Sequence, residues 1–228
     1  MRPTKRVMIA LAGGALLAFA LALAGCGALV TSAPPINATG STAITRSFAT
    51  PVAGPALYQT PLTSYATGWS TAPVCHFGPN GLEVRPSGGQ GYICLAPLPA
   101  TADVAVSVTV QQLTGSPSHA FGIVVRHAAA HSYYFYGIDG KGRFTLAVVV
   151  NDVSHTVIPF TVNSAIHAGP LATNLLQVIA HGATLTLLAN GTPVGQATVT
   201  TFASGTVGLR GISDGNVLFQ NLVIAKAP

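Results

Sequence analysis

Charge is what this 228-residue chain has least of: Asp, Glu, Lys and Arg together make up 7% of it, against about 25% in an ordinary soluble protein. A surface built instead from Ser, Thr, Asn and Gln suits an extracytoplasmic protein. Only five residues are acidic, Glu83, Asp103, Asp139, Asp152 and Asp214. Glycoside hydrolysis needs two carboxyl groups about 5 to 9.5 Å apart, and no two of these acids share a strand face two residues apart. Asp139 and Asp152 bracket one strand of about nine residues, which at about 3.3 Å per residue sets them near opposite ends of a sheet. A carboxylate-pair glycosidase is therefore not expected. Asp139 and Asp214 stand in glycine turns and offer oxygens of the kind calcium takes. Calcium wants about six to eight of them and several acids, so it is kept as a minor alternative and no cofactor or metal is expected. No G-x-x-x-x-G-K-[ST] loop occurs and no helix N-terminus is available for phosphate, which removes ATP and dinucleotides.

The formal net charge of +5 would suit nucleic acid only if the basic residues belonged to the folded part. Three of the ten, Arg2, Lys5 and Arg6, instead precede Val7 to Gly25, 19 residues without a charge, which is the pattern of a secretory signal. Without them seven basic residues face five acidic ones, a net of +2, and no nucleic-acid partner is expected. The run ends in Leu23-Ala24-Gly25-Cys26, which resembles the bacterial lipobox. The resemblance implies that residues 1–25 are a lipoprotein signal peptide and that the Cys26 sulfur carries diacylglycerol. An uncleaved transmembrane anchor is the alternative, since a span needs about 20 apolar residues. Both readings name the membrane as a partner and place the rest of the chain on its extracytoplasmic side, at the bacterial cell surface. Residues 26–56 then form a lipidated, flexible Ala/Thr/Ser/Pro tether without apolar period, and residues 57–228 one folded domain.

Cys75 and Cys94 remain as an even pair in an oxidising compartment and are expected to be bridged, with two buried free thiols as the alternative. Val104, Val106, Val108 and Val110 alternate with small or polar residues, the period-2 pattern of a strand with one buried face. Further strands are read at 82–85, 92–95, 120–126, 133–138, 143–150, 156–160, 175–181, 184–188, 193–199, 207–212 and 217–224. Asn190-Gly191 suits a type I′ hairpin, which needs positive φ at both central residues, and Asp139-Gly140 and Asp214-Gly215 are expected to behave similarly. Gly211-Ile212-Ser213-Asp214-Gly215 matches the G-x-S-x-G nucleophile pattern, but a strand follows it and no His comes after His181, so it reads as a hairpin turn. His127-Ala-Ala-Ala-His131 lacks a carboxylate partner and reads as a loop. No segment of ten or more residues has a helical period with caps. The fold class is all-β, a two-sheet antiparallel sandwich.

Several short motifs stand in a telling order: Trp69, the Cys75 and Cys94 pair, Gly122-Ile-Val-Val-Arg126, Tyr133-Tyr134-Phe135-Tyr136-Gly137-Ile138 followed by Asp139-Gly140, Leu187-Leu-Ala-Asn-Gly191, Gly205-Thr-Val-Gly-Leu209 and Phe219-Gln-Asn-Leu222. Over about 57–226 the chain resembles the concanavalin A-like lectin/glucanase superfamily, in particular its laminin-G and family 16-like bacterial extracellular modules. The resemblance implies a jelly-roll sandwich of two curved sheets and carbohydrate as a partner. The glucanase members' E-x-D-x-x-E strand has no counterpart here, so their activity is not implied. In family 16-like domains a G-x-x-x-R strand sets its Arg on the sugar-binding face, which makes Arg126 the first candidate for ligand contact. On the next strand Tyr134, Tyr136 and Ile138 share one face and Tyr133, Phe135 and Gly137 the other; alternation leaves open which is core. Tyr134, Tyr136, Phe135 and Trp69 are the candidate sugar platforms. The expected function is that of a membrane-anchored, non-catalytic carbohydrate-binding module. A protein-binding or structural envelope lipoprotein is the rival, and a glycan-acting enzyme a third reading.

Overall fold

The computed structural model of the chain describes residues 54–228 apart from 71, 86–91 and 130; the expected signal peptide, Cys26 and nearly all of the tether lie outside the described residues. Among the described residues there are fourteen strands and no helix. One sheet has eight strands, β1 (Ala56–Thr60), β2 (Cys75–Gly78), β3 (Gly81–Val84), β5 (Val104–Gln112), β10 (Thr173–His181), β11 (Thr184–Ala189), β12 (Thr192–Thr198) and β14 (Val217–Lys226). They run β12-β11-β10-β5-β14-β3-β2, with β1 paired to the second half of β14. The other has six, β4 (Ile93–Leu95), β6 (Phe121–Ala129), β7 (Ser132–Ile138), β8 (Arg143–Val150), β9 (Val153–Val162) and β13 (Thr206–Arg210), in the order β4-β13-β6-β7-β8-β9. Every pairing is antiparallel.

The sandwich follows from the alternation. On β5, Val104, Val106, Val108 and Val110 are no more than 1% exposed and join one core cluster with Leu176, Val178, Leu185 and Leu187 of their own sheet. The facing sheet brings Ile123, Val125, Tyr134, Tyr136, Leu146 and Leu209 to the same cluster. Each such side chain taken out of water contributes about 1.5–3 kcal/mol, and a one-residue slip of any strand would exchange its two faces.

Asn190 and Gly191 both have positive φ, 50° and 82°, and close the two-residue hairpin between β11 and β12 as expected. The other two turns differ from expectation. The β7–β8 hairpin has a four-residue loop in which only Gly142 is left-handed, φ 75°. The Asp139 carboxylate organises it by accepting the amide N–H groups of Lys141 and Arg143. Asp214-Gly215 is not a hairpin at all: β13 and β14 belong to different sheets, so residues 211–216 cross from one layer to the other. The His127–His131 segment is also corrected in part, since β6 continues to Ala129 before the turn at His131. Strands β1 and β2 were absent from the sequence reading; both are short and half-exposed at best.

Cys75 and Cys94 are bonded, with Cα atoms 6.0 Å apart. Because β2 and β4 end their respective sheets, the bridge staples two edges of the sandwich together. Trp69 packs beside it, its indole N–H donating to the Tyr58 hydroxyl at 2.9 Å and its ring edge-on to Phe77. Replacing both cysteines by alanine is expected to lower the unfolding free energy by about 3 kcal/mol. Urea denaturation checks this; an unchanged midpoint would mean that the aromatic packing around Trp69 holds the edge by itself.

Candidate functional site

Strand β7 decides which aromatic residues are core. Tyr136 is fully buried and its hydroxyl donates across the sandwich to the Leu188 carbonyl at 3.0 Å; burial pushes its phenol well above the usual range. Tyr134, 1% exposed, accepts the amide N–H groups of Thr201 and Phe202 at 2.8 and 3.2 Å. These two tyrosines, like Trp69 at 3% exposure, are therefore interior groups and offer no platform to a solute. Phe135 alone of the expected platforms belongs to the outer face, in a small cluster with Val124, Tyr133 and Val149, but at 3% exposure it too is covered and lines the cleft as the backing of Arg210.

The expectation for Arg126 is corrected as well. Continued alternation along β6 would set it outward beside Val124, but Arg126 has a φ of 51° and the pairing with β7 loses register after Val125. The resulting bulge turns the side chain into the end of the sandwich, where it is 1% exposed. Its guanidinium donates to the carbonyls of Ala102, Phe202 and Gly182 and lies 4.0 Å from Asp103. It ties three loops together and has no surface left for a ligand.

What the outer face of the six-stranded sheet does present is a cleft. The register sets Arg210 of β13 opposite Gly122, Gly122 opposite Gly137, and Gly137 opposite Thr145. One step along, Val124, Phe135, Ala147 and Thr156 form the next row. A Cβ at Gly137 would stand 2.5 Å from Cζ of Phe135, so only glycine lets that ring lie over the sheet. The Arg210 guanidinium stacks on the same ring, 4.5 Å from its centroid. Phe160 rises from the edge strand β9 as the second aromatic wall, with the Arg143 guanidinium 4.6 Å from its own centroid. Arg143 is in turn held by Asp139. Between the walls lies a cavity of about 310 Å³ floored by Thr145, Ala147, Ser154 and Thr156, the lower end of the size range of ligand pockets. A second cavity of about 240 Å³ shares Arg210 and Phe160 and extends to His119 and Ser213.

The electrostatics are simple because the acids are few. Glu83 pairs with Arg85, Asp103 with Arg126, Asp139 with Arg143, Asp152 with His131 and Asp214 with His119. These are all five acids of the chain, and none lines either cavity. Arg210 has no carboxylate partner, and its Nε is buried without a hydrogen-bond acceptor. Burial raises the Tyr133 phenol, against the opposing pull of the Arg210 charge. The His127 imidazole stacks on the Tyr133 ring, and burial lowers its affinity for a proton. Asp214 is held below the usual carboxylate range, first by its hydrogen bond with His119. Among the described residues no three His, Cys, Asp or Glu side chains stand together as a metal would need. Arg210 and Phe160 were not singled out from the sequence. The usable signal was parity: Val207 and Leu209 point inward, so Arg210 must point out.

No protein-family model matches this chain, and no curated protein matches it. Solved structures do. A carbohydrate-binding module, CBM66 from Bacillus subtilis, aligns over 70% of this chain and 96% of its own with a TM-score of 0.61 at 18% identity. The Crh5 transglycosylase aligns over 80% and 90% with a TM-score of 0.54 at 14% identity. The beta-glucanase of Bacillus licheniformis aligns over 74% and 97% with a TM-score of 0.53 at 9% identity. At such identities the likeness establishes the fold: the chain is an all-β, concanavalin A-like jelly-roll sandwich of two antiparallel sheets.

The two arginines should separate in stability. Arg126→Met strands the carbonyls that it satisfies and is expected to cost about 3 kcal/mol. Arg210→Met removes an unsatisfied buried N–H and is expected to stay within about 1 kcal/mol of wild type. Chemical denaturation of the two variants measures the contrast, and equal losses would mean that Arg210 too is part of the scaffold.

Proposed function

We propose that this protein is a non-catalytic carbohydrate-binding module, held at the extracytoplasmic side of a bacterial membrane by lipidated Cys26. The observation that carries the binding reading is the cleft between Phe135 and Phe160. A sugar ring has apolar C–H faces that stack on an exposed aromatic, here Phe160 at 43% exposure, and a rim of hydroxyls, for which Ser154, Thr156 and the Arg210 guanidinium are suitable partners. The fold is one that a carbohydrate-binding module and two glycan-directed enzymes also use, which supports the reading by analogy. The non-catalytic part rests on the acids: hydrolysis with two carboxyl groups needs them across the scissile bond, and all five are engaged elsewhere. The anchor rests on Leu23-Ala24-Gly25-Cys26.

A protein partner is favoured by a different observation. Edge strand β9 leaves Val153 57% and Val162 72% exposed, and an open edge can accept an added strand.

A glycan array with the full chain in detergent is expected to give binding to at least one glycan, weakened roughly tenfold by Phe160→Ala. A blank array, with crosslinks to a protein at β9, would replace the sugar reading by the protein one. Cys26→Ser is expected to abolish acylation, read as the loss of diacylglycerol mass, and to release the protein from the membrane fraction. Retention with an uncleaved leader would replace the lipid anchor by a transmembrane one.

A further inference from the structure

We propose that the carbohydrate taken by this cleft is acidic, and that Arg210 binds the carboxylate of a uronate-type sugar residue seated between the Arg210 guanidinium and Phe160. This rests on the carbohydrate reading above and names its ligand class. The argument starts from the count of acids. Glu83, Asp103 and Asp139 each stand within ion-pair distance of another arginine, and Asp152 and Asp214 each lie 2.8 Å from a histidine Nδ1, so no acidic side chain is placed against Arg210. The sequence contains only these five acidic side chains, so no other side chain can supply one. A cation whose Nε is sealed from water and from acceptors is costly to leave so. Nε itself is out of a ligand's reach, so an acceptor brought by a ligand meets the terminal guanidinium nitrogens of a side chain that lines both cavities.

The geometry fits a carboxylate in particular. The Arg210 Cζ lies 4.5 Å from the Phe135 ring centroid, which restrains the guanidinium, and this planar fork pairs with carboxylate through two parallel hydrogen bonds. Gly137 is what permits this, because a side chain there would displace the ring on which the guanidinium rests. Arg210 also lines both cavities, so a sugar chain that occupies both meets the cation in each. The cleft between the aromatic walls is floored by uncharged groups. Asp214, which follows the lining residue Ser213 of the second cavity, is exposed and accepts from the Ser116 amide, with His119 Nδ1 2.8 Å away.

The test uses the full chain in detergent on an array of uronate-containing oligosaccharides printed beside their methyl esters and carboxyl-reduced counterparts. Esterification and reduction remove the charge and keep the ring. Wild type is expected to bind the acidic forms at least about tenfold more tightly, with affinity falling as salt is raised. Arg210→Gln is expected to erase that preference, Arg210→Lys to keep part of it, and Phe160→Ala to weaken acidic and neutral forms alike. Thermal unfolding of each variant confirms that it is folded. Equal binding of acidic and neutral forms, or a preference that survives Arg210→Gln, overturns this inference and leaves the sugar-binding module standing. Binding of no glycan on either array overturns both.

Discussion

The hydrogen bond from Tyr136 to the Leu188 carbonyl joins β7 to β11 across the gap between the sheets, and the arrangement of the outer face depends on it. A strand has two faces and a period of two, so committing Tyr134, Tyr136 and Ile138 to the interior commits Tyr133, Phe135 and Gly137 to the exterior. Register then carries the commitment sideways. Gly137 stands opposite Gly122 and Thr145, Gly122 stands opposite Arg210, and Phe135 stands opposite Ala147. The cleft is thus assembled by the demands of the core on the reverse side of the same strands.

Arg126 and Arg210 show how one residue type is put to two uses within a single sheet. Both occupy positions that simple alternation assigns to the outer face. A bulge with positive φ takes Arg126 out of alternation and into the end of the sandwich, where three carbonyls and Asp103 surround it. Nothing comparable happens on β13, and Arg210 stays outside on Phe135. Among the described arginines, Arg85, Arg126 and Arg143 each face a carboxylate and Arg210 does not. In a protein with so few acids, three stand against arginines and two against histidines, which leaves the Arg210 guanidinium on the outer face without a carboxylate.

Much of the fold was legible because burial imposes a pattern on sequence. The valines of β5, the Tyr-Tyr-Phe-Tyr run of β7 and the Asn190-Gly191 turn all showed their structural roles in their residue types. Strands β1 and β2 did not, since short, half-exposed edge strands carry no alternation to read. The crossing at 211–216 was read as a hairpin because a glycine turn looks the same whether the next strand pairs beside the last or joins the opposite layer. The candidate site was less legible than the fold. Phe135 was found, yet it came with Tyr134, Tyr136 and Trp69, which have the same chemistry and lie in the core.

By itself the sequence determined the all-β class and the shortage of acids that argues against a carboxylate-pair hydrolase, and it made a bridge between Cys75 and Cys94 the leading expectation. These depend on local pattern or on counting, and both survive without coordinates. Only the tertiary structure decided that Arg126 turns inward and Arg210 does not, that the disulfide joins two different sheets, and that Phe160 comes to stand across from Phe135. Each of those facts depends on a bulge or a register between residues distant along the chain. Side-chain period says which face a residue takes within its strand, and only the packing of one strand on another says what that face will meet.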